Sequence, residues 1–283
     1  MAESVHVTQA RRISVGDLPK VARQIRLDVL DMTKRANSGH PGGSFSATEL
    51  MVTLYFGGHL RYDPRNPAWE DRDRFVLSKG HCSPAMYAVL AEAGYFPKAE
   101  LEGFRKLGRI LQGHVDLKVP GVEFSAGSLG QGLSFANGLA LGLRMDRRPS
   151  RVYAMMGDGE QQEGQIWEAA MTAAHYKLDN LCAIVDYNKV SQTGFVNDNK
   201  AIEPLADKYR AFGWHVESID GHDVGQIDAA FTKAAQTKGK PTCIVAHTLK
   251  GKGVSFMELK SEFHGRALTD DEMQRAKKEL GGA

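Results

Sequence analysis

The sequence has no Cys-x-x-Cys pair: its three cysteines, Cys82, Cys182 and Cys243, stand far apart. That spacing excludes both a zinc knuckle and a disulfide framework. No apolar run approaches the roughly 18 residues needed to span a bilayer, and the opening stretch MAESVHVTQARR has no apolar signal core. Blocks of Lys and Arg are missing too, and the net charge is only +2. Neither nucleic acid nor a membrane is therefore an expected partner. No repeat or low-complexity linker interrupts the 283 residues. These absences leave a reduced, cytoplasmic, globular chain, long enough for one large α/β domain or two small ones. We read residues 1–16 as an N-terminal arm and 17–283 as a single domain.

What is present is an alternation of apolar strands and helical stretches. Residues 17–36 predict a helix, because Leu18, Val21, Ile25, Leu27, Val29, Leu30 and Met32 cover one broad face. The stretch SGHPGGSFSATELMVTLYF predicts a Gly/Pro loop running into a second helix that starts near Ser46 or Thr48. Strands are expected at 152–156, 181–185, 215–219 and 242–246, with a helix over 162–176 between the first two. Strand–helix–strand spacing implies right-handed parallel crossovers. The expected fold is α/β: a doubly wound, mostly parallel sheet with helices on both faces. Ligands in such sheets bind beyond the carboxyl ends of the strands. Those ends run into Gly157-Asp158-Gly159, into Asp186-Tyr187-Asn188-Lys189-Val190 and into His247–Gly253.

The turn in MMGDGEQQEG sets a puzzle, since a glycine turn that cradles phosphate gains nothing from a carboxylate. A Walker A loop is excluded because Gln165 stands where its lysine belongs, and the third glycine comes too late for a dinucleotide fingerprint. A divalent cation between two anions resolves the conflict. Mg²⁺ takes about six oxygen ligands, commonly one or two carboxylates plus substrate phosphates. Asp158 can give a carboxylate oxygen, Asn188 an amide oxygen and the backbone near Val190 a carbonyl; Ca²⁺ or Mn²⁺ would suit the same set. The competing interpretation is a plain strand–helix turn with Asp158 as its cap.

Gly157-Asp158-Gly159 followed by 28 residues and Asn188 resembles the thiamine diphosphate signature. The segments SGHPGGSFSATEL, DRDRFVLSKGHCSPAMYAVL, GSLGQGLSFANGLALG, GDGEQQEGQIWEAA, DYNKV and KGKGVSFME, in this order, resemble the diphosphate-binding domain of transketolase over residues 20–270. The resemblance implies thiamine diphosphate with Mg²⁺ as cofactors, and Asp158, Asn188 and the Val190 carbonyl as metal ligands. It implies that His81 and His264 reach the diphosphate, with Gly157 and Gly159 beside it. Gly127, Ser128 and Leu129 would face the cofactor's rings, although many members have proline where Ser128 stands. His40, His114 and His264 would surround the reacting carbons, and Glu163 would join a proton relay at a subunit interface; alternatively Glu163 is a first-turn helix carboxylate.

Histidine placement supports loops that approach a ligand. Five of the ten histidines (His40, His59, His81, His114, His222) follow glycine, against about one by chance given 30 glycines in 283 residues. His59, His175, His215 and His222 are read as structural or surface residues, and His6 and His247 have no assigned place. Lys250 and Lys252 either attract anions or belong to a solvated loop.

The glutamate that activates the cofactor lies, in transketolases, in a second domain for which this sequence shows no α/β pattern. The chain therefore resembles the N-terminal subunit of a split transketolase, or else a piece of a longer one. The expected activity is transfer of a two-carbon ketol unit from a ketose phosphate such as xylulose 5-phosphate to an aldose phosphate. The expected assembly is a heterotetramer with a C-terminal, pyrimidine-domain subunit. The segment GQGLSFANGLALGLRM is either a helix at that contact or an internal one. The alternatives are a deoxyxylulose-phosphate synthase-like enzyme, the α subunit of a 2-oxo-acid dehydrogenase, a transketolase for sulfo- or branched sugars, or a non-catalytic cofactor-binding subunit.

Overall fold

Apolar runs such as Leu181-Cys182-Ala183-Ile184-Val185 suit strands covered on both faces, where no alternation with polar residues is needed. The computed structural model describes residues 12–281 and carries this through. Among the described residues, five strands form one parallel sheet: β1 (Arg74–Leu77), β2 (Val152–Gly157), β3 (Leu181–Tyr187), β4 (His215–Asp220) and β5 (Thr242–His247), in the order β1-β2-β3-β5-β4. β2, β3 and β5 are buried almost throughout, whereas the edge strand β4 is largely half-exposed. Each fully buried Val, Leu or Ile contributes about 1.5–3 kcal/mol, enough to offset about 1–2 kcal/mol of backbone ordering per residue.

Helices α1 (Leu18–Arg35), α2 (Pro41–Ser46), α3 (Thr48–Phe56), α4 (Ser83–Ala93), α5 (Gln131–Met145), α6 (Gly164–His175), α7 (Val196–Asn199), α8 (Leu205–Ala211), α9 (Val224–Gln236) and α10 (Asp270–Glu279) complete the chain. α1, α3, α4 and α9 pack on one face of the sheet, and α5, α6 and α8 on the other. No helix among the described residues is long and apolar enough to cross a membrane. Residues 1–11 of the arm, with His6, lie outside the described residues; beyond them, the Ile13 amide donates to the Phe56 carbonyl at 2.8 Å and its side chain packs on the core.

Two expectations change. The Gly/Pro loop is itself helical, as α2, because Pro41 sits at the first helical position, where its fixed φ is an asset. Its glycines are there for close approach: a Cβ on Gly42 would lie 2.8 Å from the Phe263 carbonyl, and one on Gly43 3.0 Å from Cys82 Sγ. The other change is β1, four residues too short to show a period of its own. Its pairing with β2 places Ser78-Lys79-Gly80-His81 at the same sheet edge as the other three strand ends.

α5 buries Leu133, Ala136, Ala140 and Leu143 against the sheet. Its other side leaves Phe135, Leu139 and Leu141 only partly covered and Met145 exposed.

Candidate functional site

Register brings the strand ends level: Gly157 pairs with Asp186, and Tyr187 with His247. Beyond them opens a cleft of about 580 Å³. β1 delivers Lys79 and His81, β2 delivers Asp158, β3 delivers Asn188 and Val190, and β5 delivers Lys250. His40 precedes α2, and His114 and His264 arrive on loops. The His40 ring centroid lies 5.2 Å from that of His81, 6.0 Å from His114 and 5.4 Å from His264, and His81 and His264 are 5.1 Å apart. Four histidines spread over 225 residues of sequence thus form one group.

Beneath them is a closed ionic floor. Lys79 and Asp186 are fully buried and paired with each other. Asp186 also accepts from Ser46 (2.7 Å), Thr248 and Asn188 (3.3 Å), and Lys79 donates to the Gly43 carbonyl at 3.2 Å. Despite burial, the Lys79 charge holds the Asp186 carboxyl below its ordinary value.

Asp158 is different. It is 3% exposed and, among the described residues, accepts only the backbone amides of Gly159 (2.7 Å) and Lys189. Burial, reinforced by the Asp186 charge, pushes its pKa up to about 6. Asn188 gives its amide hydrogens to Ser46 and Asp186, leaving Oδ1 to accept from the Val190 amide at 3.2 Å. The Val190 and Ser191 carbonyls accept from the Lys250 ammonium at 2.8 and 3.1 Å, and His264 Nδ1 lies 2.7 Å from the same ammonium. Burial, then repulsion from Lys79, lowers Lys250 to about 8. Burial and the Lys250 charge lower His264 to about 3. Burial, then His114 and Arg105, lowers His40 to about 4. His81 and His114 are lowered as well, burial being the first cause of each.

These groups fit a metal–diphosphate pair. Among the described residues no three His, Cys, Asp or Glu side chains gather to hold a metal unaided. A cation shared by Asp158, Asn188 and the Val190 carbonyl needs further oxygens from a ligand. A diphosphate brings those oxygens, and its charge suits Lys250 and the neighbouring histidines. His40 Nδ1, buried without a hydrogen-bond partner, is a further group poised for a ligand.

Of the residues expected from sequence, His40, His81, His114 and His264 line the cleft. So do Gly127, Leu129, Gly157, Asp158, Gly159, Glu163, Asn188 and Val190. Ser128 is exposed and is not part of the lining. Asp158 caps a 3-10 turn at Gly159–Gln162, and α6 begins only at Gly164. Lys250 belongs to the cleft, whereas Lys252 lines a neighbouring cavity. His59, His215 and His222 are paired with Asp228, Glu217 and Glu49, His175 is exposed, and His247 bonds Ser218.

Sequence reasoning passed over Lys79, Asp186 and Glu160. Glu160, fully buried, ties three elements together by accepting from Ser78, the Gly130 amide (2.9 Å) and the Gly157 amide (3.0 Å). The available signal was a charge set directly against a buried strand, as in Leu181–Asp186.

Site and sheet together define a thiamine-diphosphate-binding α/β domain. Residues 19–283 match the family model for the transketolase, thiamine diphosphate binding domain, and the chain belongs to this family. It is 46% identical over 265 residues to the 6-deoxy-6-sulfo-D-fructose transketolase subunit SqwG of Clostridium sp. (strain MSTE9), covering 93% of this chain and 96% of that one. It is 38% identical to a subunit of the apulose-4-phosphate transketolase of Phocaeicola vulgatus, covering 95% of both chains. Transketolase from Campylobacter jejuni superposes with a TM-score of 0.90 at 33% identity, covering 95% of this chain and 43% of that one. The chain thus spans about two fifths of the larger transketolases it matches. The cofactor of the domain is thiamine diphosphate with a divalent metal.

Proposed function

We propose that this chain is the cofactor-anchoring subunit of a two-chain transketolase that moves a two-carbon ketol unit from an anionic ketose to an aldose phosphate. The observation that carries this reading is the convergence of the Asp158–Asn188–Val190 set with four lowered histidines in one cleft. Thiamine diphosphate, when bound, supplies the carbanion chemistry. The protein's share is placement and proton handling. Asp158, Asn188 and the Val190 carbonyl hold Mg²⁺; Lys250 and His81 face the diphosphate; Gly127 and Leu129 border the rings. Neutral His40, His114 and His264 each present one ring N–H donor and one ring nitrogen acceptor to substrate hydroxyls and fix them in place. Glu163, exposed at the cleft rim, is set to meet a partner subunit. Three free, buried cysteines suit a reducing compartment such as the cytoplasm.

Two relatives named as subunits match over 95% or more of their length, which supports a separate pyrimidine-domain partner and a heterotetramer. Their names also support a second reading of the donor, as a sulfonated or branched sugar rather than xylulose 5-phosphate. The test is to assay the purified chain with thiamine diphosphate, Mg²⁺ and ribose 5-phosphate, with and without the partner. Xylulose 5-phosphate and 6-deoxy-6-sulfofructose are the donors to compare. No turnover alone and turnover with the partner is expected; full turnover from the chain alone would overturn the two-chain reading.

A further inference from the structure

One buried ionic chain lies outside the cleft and ends at its wall. Arg26 on α1 donates to both oxygens of Glu49 on α3, at 2.6 and 2.7 Å, and to the Phe45 carbonyl at 2.8 Å. Glu49 is 7% exposed; although burial raises its pKa, the Arg26 guanidinium and His222 bring it down to about 2. Its Oε2 lies 3.0 Å from His222 Nδ1, in the turn after β4, and His222 Nε2 lies 2.9 Å from the Leu249 amide. A backbone amide can only donate, so Nε2 is the unprotonated nitrogen and Nδ1 carries the hydrogen that Glu49 accepts. The ionised carboxylate thus fixes the tautomer that receives Leu249. Leu249 stands between Thr248, bonded to Asp186, and Lys250, whose ammonium enters the cleft.

We propose that His222 is a positioning residue: through the Leu249 amide, the Arg26–Glu49–His222 chain sets the direction from which Lys250 reaches the diphosphate. This rests on the placement of Lys250 against the diphosphate given above. The segment's other anchors are the Thr248 hydroxyl on Asp186 and backbone bonds of Thr248 to Tyr187 (3.0 Å), Gly251 to Gly42 (3.0 Å) and Leu259 to the Lys250 carbonyl (2.9 Å). The Leu249 amide, by contrast, is held by a side chain, so a side-chain change can release it.

The experiment titrates thiamine diphosphate with Mg²⁺ into the full chain by calorimetry, a readout independent of turnover. Lys250→Ala is expected to weaken binding about 10- to 100-fold, as loss of a charge-assisted bond. His222→Phe, which keeps the ring volume but neither hydrogen bond, should weaken it about tenfold. His222→Gln, which retains an acceptor for Leu249, should stay within about threefold of the native chain. In the Lys250→Ala background, His222→Phe should add nothing, because its effect runs through that lysine. Undiminished affinity in Lys250→Ala overturns the placement of Lys250 on which the proposal stands. A loss in Lys250→Ala with none in His222→Phe, or a full additive tenfold in the double variant, overturns the positioning role alone. Should His222→Phe not fold, the ¹⁵N shifts of the His222 ring decide: an Nδ1-protonated tautomer supports the proposal and an Nε2-protonated one overturns it.

Discussion

Asp73 and Asp158 are both buried carboxylates, at 4% and 3% exposure, on opposite edges of one sheet. Asp73, just before β1, is saturated. It accepts the Arg61 amide (2.9 Å), the Arg61 guanidinium (2.9 Å) and the Arg151 amide (2.8 Å), so amino-edge strands and a loop are stitched together. Asp158, just after β2, accepts two backbone amides and, among the described residues, touches no cationic side chain. Across the cleft, Lys250 is buried with carbonyls and an imidazole instead of a carboxylate. The contrast separates two uses of buried charge. A closed pair holds a fold together, whereas opposite charges kept apart are completed by something that arrives.

The sharpest break of this comparison exchanges the outcomes of two variants. Groups that only orient metal ligands cost about 10–100-fold in metal affinity when lost, so removing the ligand carboxylate in Asp158→Ala should weaken Mg²⁺-dependent thiamine diphosphate binding by more than about a hundredfold. Thermal stability should hold or rise, because a buried carboxylate with a raised pKa is a burden on the fold. Asp73→Ala should do the reverse: about 2–3 kcal/mol less stable, discounted from a fully buried pair because Arg61 is 43% exposed, with cofactor affinity unchanged. Calorimetry and urea denaturation on both variants settle it. Native affinity in Asp158→Ala, or a cofactor defect in a folded Asp73→Ala, would erase the distinction.

The same contrast explains what the sequence made legible. Runs of apolar residues at Val152–Met156, Leu181–Val185 and Thr242–Ala246 announce strands, and glycines mark the turns that follow, so the cleft edge and Asp158 can be found by reading along the chain. Asn188 follows because it ends the next strand. Lys79, Asp186 and Glu160 escape that procedure, since their meaning lies in each other: Lys79 and Asp186 are 107 residues apart and meet only when β1 joins the sheet. β1 is too short to show a pattern, and the turn at Pro41–Ser46 reads as a loop until its glycines are seen against Phe263 and Cys82. His222 looked like one more histidine after a glycine. Its partners, Glu49 and Leu249, lie 173 residues before it and 27 after.

A smaller effect sharpens the comparison within the cleft. His114 is exposed and lines the cleft, its ring centroid 6.0 Å from that of His40. His114→Ala in the assembled enzyme should lower turnover of ketose donors about 10- to 100-fold, the worth of one hydrogen bond of roughly 1.5–3 kcal/mol. Cofactor affinity should move less than threefold. A donor-saturated rate equal to the native one would remove His114 from the reaction and leave it a wall of the cleft.

The mildest prediction concerns acid. His40 and His264 have pKa values near 4 and 3 in the folded chain, against about 6.5 when unfolded. Between pH 6.5 and 4 the unfolded chain therefore binds protons that the folded chain refuses, and stability falls as pH falls through that window. His81, also lowered by burial, acts in the same direction. Asp158 opposes them. With a folded pKa of about 6 against an ordinary 3.8, it gains its proton earlier in the folded state, and stability rises as pH drops through 6. His114 is lowered as well, and Asp28 and Glu160 are raised like Asp158. The four imidazoles, which take up protons in the unfolded chain between pH 7 and 5, set the direction, so the urea midpoint should be lower at pH 5 than at pH 7. Asp73→Ala removes none of these groups, so it should leave the difference between the two pH values in place. Thiamine diphosphate with Mg²⁺ places negative charge beside Lys250 and His264, which lifts the histidine pKa toward its ordinary value and lessens the loss on acidification. A midpoint at pH 5 equal to or above that at pH 7, measured without cofactor, would show that the cleft histidines are not held neutral by burial and their cationic neighbours.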